Sequence, residues 1–468
     1  MGHDASMTDS ITASRPEPKG SRVARRRERR KRTGFFRKSS PGSKSVRFEN
    51  TMTMETPPRE IPMSRSPATR KAVYLGFDGW LVAVVFILIV FGLLMVHSAS
   101  WEYSLADGNS PTLIFQRQFL FLAIGCCLAA FLAWMDYHRL QKYALIGMLG
   151  VIALLVGVLI FGERRLGAIR SFADGSGQPS ELAKLLIIIY LGVWLYAKRD
   201  RLSDISFGLL PLAGILGIVG GLVFIQPDYS AVATIVVLGG VLFFIAGGNL
   251  RQISLLVLGA VLFGALVVLF TQTGKARVES YVGGLKDLTM ASDHVIRSIE
   301  AFIRGGWFGV GIGKGVTKLT ILPVPHTDSI FAVVGEETGV LGTSFLVLMY
   351  ALLAWRGLSI ARSAPDGLGR LLAAGLTIWL AMEAFINMAV MVNLLPFAGN
   401  ALPFISAGGS SMIVSVAAIG ILVNISRQSV QKREVEEKII NAVIDLRRRY
   451  WRRSVSRPGR PSSPGLGK

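Results

Sequence analysis

The sequence predicts an all-α polytopic membrane protein with about ten transmembrane helices. Of its 468 residues, 51% are hydrophobic and only 17% are charged, a composition more apolar than that of an ordinary soluble domain. The apolar residues come in blocks of about 20, the length at which a helix crosses a hydrocarbon core of roughly 30 Å. Because that core offers no partner for free backbone amides, such blocks must be helical.

The apolar blocks define a membrane domain over residues 76–428. Nearly all connections between them are short, except for the segment 273–327 before the eighth span. We predict that this segment is a large extracellular loop, and long connections of this kind tend to be functional. The predicted spans are 76–98, 115–134, 141–161, 181–197, 206–225, 229–247, 252–272, 328–354, 371–391 and 407–426.

Most of the net charge of +21 lies in the two tails. Residues 1–75 carry a net charge of +11 and are rich in Ser, Pro, Arg and Thr, which predicts a disordered basic tail. Residues 429–468 form a second basic tail. An apolar stripe in it is typical of an amphipathic helix on a membrane surface, although a helix that binds a partner would look the same. The stripe consists of Val435, Ile439, Val443, Leu446 and Tyr450.

Charge also predicts the orientation of the chain. Basic tails beside membrane spans mark the cytoplasmic side, so we place both termini in the cytoplasm and the spans in the bacterial inner membrane. The predicted outside loop at Glu163–Arg170 breaks the rule because it holds three arginines, and an anionic ligand would account for them. The run of arginines at residues 24–32 could bind nucleic acid. Membrane orientation explains the same charge more simply, so we expect membrane lipids and no nucleic acid as partners.

Within the predicted loop, an amphipathic stretch leads into a string of glycines. The string resembles nucleotide-binding motifs and satisfies none: a Walker A loop needs glycine at Phe308 and Ser or Thr at Gly315. No strand precedes it either, as the dinucleotide fingerprint requires. We therefore interpret it as a tight extracellular loop that holds Trp307 and Phe308 at the membrane interface.

Ionisable residues at the edges of spans are candidates for function, because a charge at bilayer depth costs at least about 2.5 kcal/mol. Glu181 and Lys184 lie one helical turn apart. They form either an ion pair that neutralises itself, or a phosphate site in which Lys184 and Arg170 bind the ligand and Glu181 orients the lysine. Asp228 follows a proline in a short turn, where aspartate is common for structural reasons alone.

The stretch LPVPHTDSIFAVVGEE places Asp328 at the predicted mouth of the eighth span, just after His326. One interpretation is that Asp328 caps the helix. A cap does not need Glu336 and Glu337 two turns further on, however. Carboxylates and a histidine that converge on one cavity would instead form a proton-handling site.

Eight motifs in order give the chain a resemblance to the SEDS family (shape, elongation, division and sporulation), the FtsW/RodA/SpoVE group, over about residues 76–428. One such motif would be weak, but eight at matching topology are specific. They are HSAS (His97–Ser100), GAIRSF (Gly167–Phe172), QPSELAK (Gln178–Lys184), QPDYS (Gln226–Ser230), GGWFGVGIGKG (Gly305–Gly315), LPVPHTD (Leu322–Asp328), GEETG (Gly335–Gly339) and LPFAGNALPFISAGGSS (Leu395–Ser411).

The resemblance implies the SEDS fold and an inverting peptidoglycan glycosyltransferase. Such an enzyme polymerises lipid II on the outer face of the membrane, with undecaprenyl diphosphate as the leaving group. It implies Asp328 as the catalytic base and a class B penicillin-binding protein and other divisome proteins as partners. Cations must stabilise the pyrophosphate, and a divalent ion (magnesium or manganese) could help. The substrate-binding residues we expect are Arg170, Glu181, Lys184, His326, Glu336, Glu337, Ser406 and Ser410.

The chain departs from the family pattern at three positions: Ser171 stands for a usual Trp, Ser329 for a Phe and Ala407 for a Tyr. The sequences FISAGGSS and GEE resemble the division branch of the family more than the elongation branch, which implies a septal location. Two further interpretations stay open. The same cavity would suit a lipid II flippase, although no clear internal repeat of the kind common in transporters is visible. The long tails would suit a non-catalytic division scaffold.

Overall fold

The structure, a computed structural model, describes residues 76–106, 110–165, 168–171, 177–320 and 322–455. The predicted tail 1–75 and the last residues of the C-terminal tail lie outside this range. The described residues form thirteen α-helices and one small antiparallel hairpin. The strands are β1, Glu163–Arg165, and β2, Ala168–Ser171. The helices are α1 Gly79–Ala106, α2 Leu113–Trp134, α3 Leu140–Phe161, α4 Pro179–Lys198, α5 Leu209–Ile225, α6 Tyr229–Ile245, α7 Leu250–Phe270, α8 Gln272–Lys286, α9 Asp293–Gly305, α10 Thr317–Thr320, α11 Ile330–Ser363, α12 Gly367–Met391 and α13 Gly409–Val455.

Each of the ten predicted spans is an apolar helix in the structure. Eight helices of the described chain are long and apolar enough to cross a membrane. The other two, α5 and α6, have 17 residues each, which is at the short end of the spanning range. The prediction of an all-α polytopic membrane protein is therefore confirmed.

The core of the bundle is built from α4, α12 and the membrane part of α13. Small residues let these helices approach their neighbours closely. A Cβ added at Gly420 of α13 would lie 2.4 Å from the carbonyl oxygen of Ala129 on α2, so only glycine allows this contact. Helix α7 lies at the periphery, because Gln252 is its one buried residue.

The segment predicted as a large loop contains regular structure. Helix α8 follows α7 almost directly, and α9 packs on α11 through Val295, Ser298 and Ala301. The amphipathic helix predicted in this segment is thus present as α9. Its C-terminus leads into the glycine string, residues 305–315, which reaches the short helix α10.

The C-terminal amphipathic segment is the continuation of the last span. Helix α13 runs over 47 residues without interruption. Four residues of the predicted apolar stripe, Val435, Ile439, Val443 and Leu446, are exposed, with Val435 at 54% and Leu446 at 65% of their accessible area. The predicted helix exists, and nothing in the described residues covers these four side chains.

Candidate active site

Asp328 lies in the turn that precedes α11. The helix begins at Ile330, and Ser329 at the N-cap position makes no side-chain capping bond. Asp328 therefore precedes the capping position. Its side chain is half-buried, and Oδ2 faces Gly399: a Cβ added there would lie 3.3 Å from that oxygen. Gly399 has a φ of +61°, a conformation that favours glycine, and the missing side chain leaves room beside the carboxylate.

A buried amide on α12 holds the backbone of this turn. Asn387 Nδ2 donates to the carbonyl oxygen of Asp328 at 2.9 Å and to that of Asn400 at 2.6 Å. One side chain thus joins the turn of Asp328 to the segment that contains Gly399. Because α12 is a central helix, the backbone that carries the carboxylate is tied to the rigid part of the bundle.

The motif LPFAGNALPFISAGGSS (Leu395–Ser411), which leads into α13 and is called the signature segment below, fixes the same turn from the other side. Ser406 is buried, and its Oγ donates to the carbonyl oxygen of Thr327 at 2.8 Å and accepts from Leu402 N at 2.7 Å. Ala407 N donates to the carbonyl oxygen of His326 at 2.8 Å. In this structure Ser406 positions the residues before Asp328; its predicted contact with substrate stays a prediction.

Gln118 on α2 clamps the signature segment. Its Nε2 donates to the carbonyl oxygen of Ser406 at 3.1 Å, and its Oε1 accepts from Gly408 N at 3.2 Å. The side chain is buried, so this pair of bonds satisfies an amide that would otherwise be costly at bilayer depth. Helices α2 and α12 and the signature segment therefore all contribute to the position of Asp328.

Two histidines flank the turn. His326 is buried, and burial lowers its pKa to about 4, so the imidazole is neutral near pH 7. His294 on α9 places Nδ1 2.9 Å from Ser329 Oγ and stacks on Phe397 with ring centroids 4.2 Å apart. Burial lowers the pKa of His294 as well. Ser329, one of the departures from the family pattern, is the residue that meets His294.

Glu181 and Lys184 belong to a buried cluster of three charges. Lys184 Nζ lies 2.9 Å from Glu181 Oε1, and it also bonds Glu383 of α12. All three side chains are buried, so in this structure the ammonium group reaches two carboxylates. This geometry supports the ion-pair interpretation, and a contact between Lys184 and a phosphate would require the cluster to open.

Three of the sequence motifs meet around Asp228. Its Oδ1 accepts from Ala231 N at 3.3 Å and caps α6, as the structural interpretation of this turn predicted. Its Oδ2 accepts from Gln178 Nε2 at 3.1 Å and Ser180 Oγ at 3.0 Å. Ser410, at the start of α13, accepts from Gln178 N at 3.1 Å. The position of Ser410 is therefore explained by packing at the start of α4.

The side chains of Glu336 and Glu337 hold the C-terminal end of the glycine string. Glu336 Oε1 accepts from the backbone amides of Val316 and Thr317 at 3.0 and 3.1 Å. Glu337 Oε2 accepts from Gly313 N at 3.0 Å, while its Oε1 bonds Lys318 Nζ at 2.6 Å. We predicted that these carboxylates converge with Asp328 on one cavity. The structure instead engages both with the loop, because buried carboxylates need donors and the loop supplies them.

The glycine string fills a break in α11. Helical geometry fails at Gly339, which has φ +67° and ψ −165°. Val310 N and Gly311 N donate to the carbonyl oxygens of Glu336 and Glu337, both at 3.0 Å. On the other side of the break, two amides of α11 donate back to the string, Val340 N to Gly306 O at 2.9 Å and Leu341 N to Trp307 O at 3.2 Å. The backbone groups that the break exposes are thus paired.

Arg170 lies in strand β2, and its side chain is outside the described residues, so its predicted contact with an anion stays a prediction.

A metal site gains no support from ligand groups. The described ranges contain no group of three His, Cys, Asp or Glu side chains that could hold a metal ion. A divalent cation that arrives with a pyrophosphate would not need such a cluster.

Several residues of the site were not predicted. Glu383 had a clear signal, because it is the one ionisable residue in the predicted span 371–391. Asn387 lies in the same span, and Gln118 lies in the second one. A polar amide in a span is a weaker signal, and its partners are all distant in sequence. Lys318 lies in the segment predicted as a loop, where its sequence position gave no signal.

A model of the FtsW/RodA/SpoVE family, described as cell cycle protein, matches residues 79–431. The chain belongs to this family. It is 37% identical over 356 residues to a probable peptidoglycan glycosyltransferase FtsW of Geobacter sp. (strain M18), a match that covers 75% of this chain and 97% of the relative. It is 33% identical over 360 residues to the stage V sporulation protein E of Bacillus subtilis, covering 75% and 97% of the two chains.

Solved structures of the family share the fold. One neighbour comes from a study of the structural coordination of polymerization and crosslinking by a peptidoglycan synthase complex. It has a TM-score of 0.61 at 26% identity and covers 76% of this chain and 99% of its own. The rod shape determining protein RodA of Thermus thermophilus has a TM-score of 0.57 at 27% identity, with 76% and 98% covered. The predicted SEDS fold is confirmed.

Proposed function

We propose that this protein is a peptidoglycan glycosyltransferase that polymerises lipid II. Relatives of this chain that are named probable peptidoglycan glycosyltransferase FtsW support the activity. The observation that carries the proposal is the setting of Asp328. The backbone of its turn is held by α12 and by the signature segment, and its half-buried carboxylate lies next to the open side of Gly399.

Asp328 is suited to act as a general base. An ordinary aspartate has a pKa near 3.9, so it is ionised near pH 7, and partial burial makes a carboxylate a better base. In the proposed reaction Asp328 takes the proton of the acceptor sugar hydroxyl. The hydroxyl oxygen then forms a bond to the anomeric carbon of the donor sugar, the bond from that carbon to the pyrophosphate breaks, and configuration inverts.

The departing pyrophosphate needs positive charge. Lys184 is enclosed by two glutamates in this structure, so we propose Arg170 and a divalent cation, magnesium or manganese, for this role. The cation would reach the site with the pyrophosphate. Titration of the polymerase reaction with a chelator and then with each metal tests this part separately: activity that persists with excess chelator would contradict a role for the cation.

We further propose that the protein acts at the division septum of the inner membrane, with both termini cytoplasmic and a class B penicillin-binding protein as partner. The FtsW names of the relatives support the division branch over the elongation branch. The partner is supported by the similarity to a chain of a peptidoglycan synthase complex.

The test is polymerisation of labelled lipid II by the purified full chain with its penicillin-binding partner. Asp328→Asn is compared with Asp200→Asn, which changes an exposed aspartate in the turn after α4. Moenomycin is present to inhibit contaminating classical glycosyltransferases. We expect glycan ladders from wild type and Asp200→Asn and none from Asp328→Asn. A folded complex that makes no ladders would overturn the proposal and favour a flippase, which a vesicle translocation assay would detect, or a scaffold.

A further inference from the structure

The glycine string carries a cluster of exposed apolar side chains. Trp307 is 70% exposed and Phe308 82%, although both lie in a stretch that the backbone holds tightly. Ile303, at the end of α9, is 76% exposed. Exposed aromatic residues on a well-fixed loop indicate an interaction surface, because a packed loop would bury them.

The backbone pairing determines how deep this cluster lies. Leu341 N donates to Trp307 O, so the string is level with Leu341 of α11. Fifteen residues further along the same helix, Arg356 forms an ion pair with Asp78, directly before the start of α1. Arg356 follows the predicted eighth span and Asp78 precedes the first helix, and a basic residue at the end of a span marks one boundary of the bilayer. At 1.5 Å per residue, Leu341 lies about 22 Å from that boundary, inside a hydrocarbon core of about 30 Å.

A second helix gives the same depth independently. Ser98 of α1 bonds Glu337 at 2.7 Å and lies nineteen residues after Gly79, the first residue of that helix. This places Ser98 and Glu337 about 28 Å from the boundary at Arg356, near the opposite face of the hydrocarbon. Trp307 pairs with a residue one turn deeper than Glu337.

The surface around the cluster is continuous with the part of α11 that faces lipid. Val340 is 45% exposed and Leu341 54%, and Leu348 is exposed two turns further into the bilayer. The one charged residue of the string, Lys314, is exposed, and the long stem of a lysine can follow apolar surface while its ammonium group stays in water. Lys318, in the adjoining helix α10, is bonded by Glu337 and Ser98. A surface of this composition at this depth fits hydrocarbon, whereas a loop in water would expose the aromatic rings to water, which is unfavourable.

We propose that the glycine string is a re-entrant segment that places Trp307 and Phe308 in contact with the hydrocarbon of the bilayer. The break in α11 at Gly339 is what allows the entry, because it supplies the backbone partners that lipid lacks. The side chains of Glu336 and Glu337 hold the C-terminal end of the segment, and backbone bonds to α11 hold residues 306–311, so it is a rigid insertion into the membrane. This inference is independent of the proposed enzymatic activity.

The experiment measures the depth of spin labels in the full chain, at one chain per lipid nanodisc. Cys126 and Cys127, the two cysteines of the sequence, are changed to Ala. Single cysteines are then introduced as Trp307→Cys and Phe308→Cys. Leu348→Cys is the lipid reference, and Asp200→Cys, whose native side chain is 91% exposed in a polar turn, is the water reference. Each label is tested for collision with oxygen and with a water-soluble nickel chelate.

We expect labels at positions 307 and 308 to behave like the label at 348, accessible to oxygen and protected from nickel. Nickel access close to that of position 200 would overturn the proposal, and protection from both reagents would show that another protein surface covers the cluster. If the cysteine variants fold poorly, quenching of native fluorescence by brominated lipids is compared between wild type and Trp307→Phe. If brominated lipids quench the same amount of fluorescence in the two proteins, the proposal would also be overturned.

Discussion

Asn387 and Asp328 are joined by a hydrogen bond of 2.9 Å from the side-chain amide of one to the carbonyl oxygen of the other. Asn387 is buried on a central helix, while Asp328 lies in an irregular turn between helices. The bond therefore transfers the rigidity of the bundle to the residue that we propose as the base. Small displacements of a reacting group are expensive: about 1 Å can reduce the rate about a hundredfold.

Replacing Asn387 with Ala should reduce activity by more than the accompanying loss of stability explains. Two backbone carbonyls would lose a donor, at a cost of about 1–3 kcal/mol each, and Asp328 would lose its restraint. We expect kcat of polymerisation to fall about tenfold to a hundredfold. The matched control is Asn249→Ala, which removes the cap of α7 and costs about 1 kcal/mol far from the site. Equal activity losses in the two variants would show that Asn387 acts through stability alone.

Lys184→Met should destabilise the protein strongly. It would leave Glu181 and Glu383 buried without their cation, and breaking a buried pair costs about 3–5 kcal/mol. Adding Glu383→Gln to Lys184→Met removes one of the two uncompensated carboxylates, so we expect the double variant to be the more stable of the two. Thermal unfolding in detergent shows which of the two variants is the more stable. A double variant that melts below Lys184→Met would contradict the charge cluster.

Gly309→Ala should destabilise the glycine string more than Gly313→Ala. Both residues have positive φ, +80° and +83°, so both substitutions carry a similar backbone strain of about 1–3 kcal/mol. A Cβ at Gly309 would also lie 2.2 Å from the carbonyl oxygen of Glu337, whereas Gly313 has open space. Thermal unfolding and limited proteolysis of the string compare the two. Equal effects would mean that the string does not pack against the break in α11.

His326 should make the protein less stable in mild acid. Its pKa is about 6.5 in an unfolded chain and about 4 here, because burial disfavours the charged form. The unfolded state therefore binds more protons, and stability falls as the pH drops from about 6.5 towards 4. We expect His326→Gln to flatten the dependence of melting temperature on pH over that range. An unchanged slope would show that other groups cause the loss of stability in mild acid.

Periodicity and composition predicted much of the fold, since the ten spans follow from runs of apolar residues whose length the bilayer dictates. The ion pair between Glu181 and Lys184 also followed from helical spacing. The roles of Glu336 and Glu337 did not follow from helical spacing. Their position on α11 was correct, but their partners are amides of a loop some twenty residues earlier, and helical periodicity contains no information about that loop.

The sequence by itself determined the class of protein, the approximate bounds of its spans and the family to which it belongs. These depend on local properties: apolar length, charge at the ends of spans and short motifs in order. Only the tertiary structure decided which polar groups share a partner. Gln118, Asn387 and Glu383 each satisfy a buried group that lies on another element of the chain. In a bilayer every buried polar atom must find such a partner, and the helix packing determines which one is within reach.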